Sequence, residues 1–102
     1  MTDDGARELV SHTEDFGGRY VEVVVWEVPV SERYPDGLKY SMQYGTVGGE
    51  TIIRYDNFPD HPDATHHHKH TRGGVKDVDF EGLGPLLETF KDEVNAHGDT
   101  WD

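Results

Sequence analysis

The chain has 102 residues, with 21 Asp and Glu against 9 Lys and Arg, and a formal net charge of -12. That length suits one domain, of the size that buries roughly two-thirds of its unfolded surface, and excludes a second core. The absence of cysteine excludes a disulfide framework, a thiol nucleophile and any cysteine-ligated zinc or iron–sulfur site.

Val, Leu, Ile and Phe supply 22 of the 102 residues, just above the ~20% below which highly charged chains stay unfolded, so patterning has to decide. No stretch approaches the ~18 apolar residues of a membrane span, and the start, Met1-Thr2-Asp3-Asp4-Gly5, has no basic segment. A cytoplasmic protein with neither signal peptide nor membrane partner is expected. The acids are spread along the chain, and only 4 of the basic residues are lysine. Such a composition is expected of a halophilic protein working in molar salt, where the Debye length falls to ~3 Å and self-repulsion is screened, with an ordinary acidic surface as the alternative. The same screening keeps nucleic acid among the possible partners.

In chain order, Arg7 to Asp15 reads as a strand, with residues 6 to 11 alternatively a short helix, and Phe16-Gly17-Gly18 as a hairpin turn. Residues 20 to 28, Tyr-Val-Glu-Val-Val-Val-Trp-Glu-Val, form the strongest strand, apolar on both faces. After the turn Tyr34-Pro35-Asp36-Gly37, Leu38, Tyr40, Met42 and Tyr44 alternate with polar residues, the period of a half-buried strand. A glycine-bearing loop then leads to a fourth strand, Glu50 to Tyr55. Residues 56 to 74 show neither period and read as a long functional loop. Leu83, Leu86, Leu87, Phe90 and Val94 fall at helical spacing, with Pro85 in the first turn and Gly98 as the stop. The expected fold is a single α+β domain over residues 1–102. It is an antiparallel meander of four to five strands with one C-terminal helix packed on one face, and with flexible ends at about 1–5 and 98–102.

Five of the seven histidines lie between positions 61 and 70, at His61, His66, His67, His68 and His70. Residues 60 to 74 carry two acids against Lys69 and Arg72, whereas residues 75 to 102 carry 8 acids and 2 bases. An anion would meet least repulsion at this loop. Two chemistries fit. In metal-independent RNA cleavage one imidazole takes the 2′-hydroxyl proton and a second protonates the leaving oxygen, while a cation stabilises the phosphorane. The candidate catalytic residues are then Arg54, His66, His67, His68 and His70. Lys69, Arg72, Tyr55, Asp56 and Asn57 are candidate substrate-binding residues. No cofactor is expected on this reading. In the alternative, an extended run projects His66, His68 and His70 to one side, three imidazoles for Zn, Ni or Cu in a non-catalytic metal-binding or protein-interaction module. The chain lacks Walker, GxSxG, HExxH and Rossmann signatures, which removes ATP, serine-hydrolase and NAD chemistry.

The linear order of Trp26-Glu27-Val28-Pro29, Lys39-Tyr40-Ser41, Ile53-Arg54-Tyr55-Asp56-Asn57, a histidine-rich loop and Leu86-Leu87-Glu88-Thr89-Phe90 resembles the TumE-type family, the toxin halves of toxin–antitoxin pairs. The resemblance spans about residues 6 to 97 and has a haloarchaeal cast. The chain departs from the family's Asp-His-x-His form in placing Asp60-His61 ahead of a separate histidine run. The resemblance implies a growth inhibitor held in check by a cognate antitoxin protein, with RNA the usual target.

Overall fold

The computed structural model describes residues 6–32, 34–57 and 67–101. The expected flexible start at 1–5, together with His61 and His66, lies outside them. Among the described residues are β1 (Arg7–Asp15), β2 (Arg19–Glu27), β3 (Leu38–Thr46), β4 (Thr51–Asp56), β5 (His68–Thr71), β6 (Gly74–Asp77) and α1 (Leu83–Ala96). The strands form one sheet in the order β1-β2-β3-β4-β5-β6, every neighbouring pair antiparallel.

The strand count is therefore six, not four to five. The difference lies in the segment read as loop, where His68–Thr71 and Gly74–Asp77 pair across an Arg72-Gly73 turn. Four-residue strands reading His-Lys-His-Thr and Gly-Val-Lys-Asp carry no apolar alternation, so nothing in their composition announces them. They form because β4 offers an edge to pair with, and pairing outweighs local propensity. Residues 6 to 11 are likewise not a helix: Arg7–Asp15 pairs with β2, through a bulge between Glu8 and Val10.

The period-2 residues define the core. Val21, Val23 and Val25 of β2, Tyr40, Met42 and Tyr44 of β3, and Ile53 and Tyr55 of β4 are buried, with Leu86, Phe90 and Val94 of α1 packed on them. Phe90 meets Tyr55 edge-on, ring centroids 5.8 Å apart. Proline at the third helical position removes a donor that has no intrahelical acceptor, so it costs the helix nothing. Gly98 takes φ 103° just past the C-cap residue His97, ending the helix as its position suggested.

Within the segment 98–102, Asp99 and Trp101 contact the rest of the chain. Asn95 brackets Trp101, accepting its N–H at 2.7 Å and donating to its carbonyl at 3.2 Å. The Trp101 indole packs on Phe90 and His12. Arg19 Nε donates to Asp99 Oδ2 at 2.6 Å, and the Tyr44 hydroxyl donates to the same oxygen. The Arg19 hydrogen bond, followed by that from Tyr44, holds the Asp99 carboxyl below its ordinary 3.8. Burial and the Asp99 carboxylate push the Tyr44 hydroxyl up to about 12. A carboxyl lowered on folding stabilises the fold above its unfolded value, and that contribution disappears as pH falls through the lower folded-state value. Melting temperatures of the wild type and Asp99→Asn are expected to differ near neutrality and to converge as pH drops below 3.8.

Candidate functional site

The face of the sheet opposite α1 is where the chemistry collects. Register and alternation place Arg54 and Asp56 of β4 on that face beside His70 and His68 of β5, because Arg54 pairs with His70 and Asp56 with His68. Asp56 is fully buried and sits at the centre. Its Oδ2 accepts from Arg54 Nε at 2.8 Å and lies 3.3 Å from His70 Nε2, while Oδ1 lies 2.7 Å from His68 Nε2. Arg54 also reaches back to His70, Nη2 to Nε2 at 3.3 Å. A carboxylate taken wholly out of water is tolerable only with such partners.

Exposure separates the two histidines. His68 is 1% exposed and His70 20% by side chain, so His70 is the imidazole that reaches solvent. It opens onto a cleft of about 190 Å³ lined by Glu50, Thr51, Arg54, His70, Thr71 and Arg72. Arg72 donates to Glu50 across this cleft. Glu50 is fixed from behind: its carbonyl accepts from Thr46 N at 2.9 Å, and it passes so close to Gly45 that a Cβ there would lie 2.9 Å from that carbonyl oxygen. Side chains at position 45 are excluded for that reason, and the β3–β4 register shifts at the same point, between Tyr44 and Gly45.

The other expected residues go elsewhere. His67 and Lys69 alternate with His68 and His70 and so face the helix side. His67 Nδ1 lies 2.9 Å from the Tyr40 hydroxyl and Nε2 2.6 Å from Asp36 Oδ2, with its ring stacked on Phe80 at 4.1 Å. Both nitrogens are engaged, and burial pushes the Tyr40 hydroxyl up, so this is a clamp of the 34–37 turn onto the sheet. Lys69 Nζ donates to Glu93 Oε2 of α1 at 2.5 Å and lies over the Tyr55 ring. Burial, then Lys76, lowers its pKa. Tyr55 is core. Asn57 extends the β3–β4 pairing with its side chain, accepting from Tyr40 N at 3.0 Å and donating to Leu38 O at 2.6 Å. Lys69, Tyr55 and Asn57 thus lie away from the Arg54–His70 cleft, and His66 is outside the described residues.

Sequence reasoning missed Glu50, Asp36 and Glu93. Each comes to its place through pairing or packing distant in sequence, and none stands in a motif.

Taken together, fold and site define a small α+β domain that gathers a buried Asp, two His and two Arg about the β4–β5 pair. The sequence model of the family described as Toxin TumE matches residues 3–97. The chain belongs to that toxin family. No curated protein and no solved structure matches it. None of the helices among the described residues is long and apolar enough to cross a membrane.

Proposed function

We propose that the chain is the toxin of a toxin–antitoxin pair and that it cleaves RNA without a metal, with the Arg54–His70–Arg72 cleft as its phosphate site. The observation that carries this reading is the convergence there of a solvent-reaching imidazole, two guanidinium groups and a carboxylate. Glu50 takes the proton of the 2′-hydroxyl, the freed oxygen attacks phosphorus, the bond to the 5′-oxygen breaks, and protonated His70 supplies that oxygen with its proton. Arg54 and Arg72 hold the charge gathering on the phosphoryl oxygens. Asp56 and His68 position His70 and Arg54 without touching substrate. The partner that restrains such an activity in the cell is the cognate antitoxin, and the acid excess suits a molar-salt interior, where RNA meets a screened surface.

Purified protein incubated with total RNA in concentrated KCl and EDTA is expected to degrade it, and expression without the antitoxin is expected to arrest growth. Intact RNA together with unhindered growth contradicts the proposal.

A second reading rests on one specific observation. Ligand atoms of Asp56, His68 and His70 lie within 4.8 Å of one another, a two-His, one-carboxylate set of the kind that takes Zn, Ni or Cu. The Arg54 guanidinium already supplies positive charge to Asp56 Oδ2, which favours the metal-free reading. Cleavage in the same assay only after Zn, Ni or Cu replaces EDTA would reverse that preference.

A further inference from the structure

A larger cleft, of about 450 Å³, lies on the helix side of the same strand ends. It shares Glu50, Thr51, Thr71 and Arg72 with the phosphate cleft, so the two form one groove that wraps around the ends of β4 and β5. Its other walls differ in chemistry. Ile52 and Ile53 provide an apolar surface, while Glu93 and His97 come from the C-terminal half of α1 and the residue after it.

Glu93 is the unusual member. Its Oε2 accepts from Lys69, but Oε1 is buried and has no hydrogen-bond partner among the described residues. A buried carboxylate oxygen left bare is costly and calls for an explanation. Burial pushes the Glu93 carboxyl up, while the Lys69 ammonium on Oε2 favours its ionised form. A Lys-paired carboxylate has acceptor sites to spare and no proton to give, so its complement is a ligand edge made of donors. Among the nucleobases only guanine presents two adjacent donors, N1–H and N2–H, on its pairing edge. Adenine and cytosine offer one amino group beside an acceptor, and uracil one N–H between two acceptors.

We propose that this cleft is a nucleobase subsite selective for guanine, with Glu93 accepting from N1–H and N2–H, Ile52 and Ile53 beneath the ring, and the 3′-phosphate of the same nucleotide in the Arg54–Arg72 cleft. Glu93 lines the cleft with its side chain 28% exposed. The proposal rests on the RNA reading above and makes the nucleotide on the 5′ side of the cleaved bond a guanosine.

The test is a titration of the wild-type protein with the four nucleoside 3′-monophosphates in concentrated KCl, followed by NMR. Guanosine 3′-monophosphate is expected to bind at least about tenfold tighter than the other three, with the largest shifts at Ile52, Ile53 and His97. Glu93→Gln, with its fold checked by circular dichroism, is expected to bring guanylate down to the level of the others. Equal affinity for the four nucleotides, or shifts that map away from this cleft, overturns the subsite. Failure of the RNA reading is separately visible: it is the absence of cleavage in the EDTA assay, which leaves the selectivity measurement to stand or fall on its own result.

Discussion

Replacing His70 by glutamine is expected to lower RNA cleavage by about 10²–10⁴-fold, the usual contribution of a positioned proton-transfer group, with little change in melting temperature. The separation of the two effects follows from where the ring lies. His70 reaches the cleft with its side chain 20% exposed, and its contacts to Asp56 Oδ2 and Arg54 Nη2 are both 3.3 Å long. Losing it leaves Asp56 with the shorter contacts to Arg54 and His68. A pH–rate profile of the wild type should show a limb that the variant lacks, because the group that protonates the leaving oxygen must carry its proton to act. A purely structural histidine would instead lower stability and activity together and leave the shape of the profile unchanged.

Asp56→Ala is expected to produce the largest loss of stability in the site, about 3–5 kcal/mol, the cost of removing one partner from a buried charge cluster. The carboxylate is fully buried and serves Arg54 and His68 at once, at 2.8 and 2.7 Å. Without it the Arg54 guanidinium loses its acceptor and the 1%-exposed His68 ring loses the carboxylate beside it. For a domain whose whole stability is of order 5–15 kcal/mol, that is a large fraction. Urea unfolding followed by circular dichroism measures it, with the midpoint falling at an unchanged slope. A midpoint shift of only a few tenths of a molar would mean that the cluster is solvated and that Asp56 does not organise it.

Much of this architecture can be read from local pattern. The alternation of Leu38, Tyr40, Met42 and Tyr44, the valine run of β2 and the Leu86–Phe90–Val94 stripe each carry their own period, and each forms the predicted element. β5 and β6 carry none. His68-Lys69-His70-Thr71 becomes a strand because it is added to the edge of β4, a long-range event that no window of the sequence contains. The same event explains what was legible of the site. Arg54, Asp56, His68 and His70 can each be singled out by type, but only the pairing of Arg54 with His70 and Asp56 with His68 makes them one cluster. The pairing also divides the histidine run, sending His67 and Lys69 to the helix side, where Asp36, Tyr40 and Glu93 engage them. Glu50 was invisible for a related reason: a close backbone approach at Gly45 holds it, and its arginine partner lies on another strand turn.

The charge distribution takes on a structural meaning in this frame. The cations of the groove are Arg54, within β4 and paired with His70, and Arg72, in the turn after β5. Arg72 is held by an exposed partner, Glu50, and the pair is 85% and 60% exposed by side chain, so it opens at little cost when a phosphate competes for the guanidinium.

The chemical ends of the RNA fragments made in EDTA test the central claim most directly. Attack by the neighbouring 2′-hydroxyl, driven by Glu50 and His70, predicts 2′,3′-cyclic phosphate or 3′-phosphate on one fragment and a free 5′-hydroxyl on the other. Fragments bearing 5′-phosphate and 3′-hydroxyl, or cleavage that stops when divalent metal is removed, would contradict it.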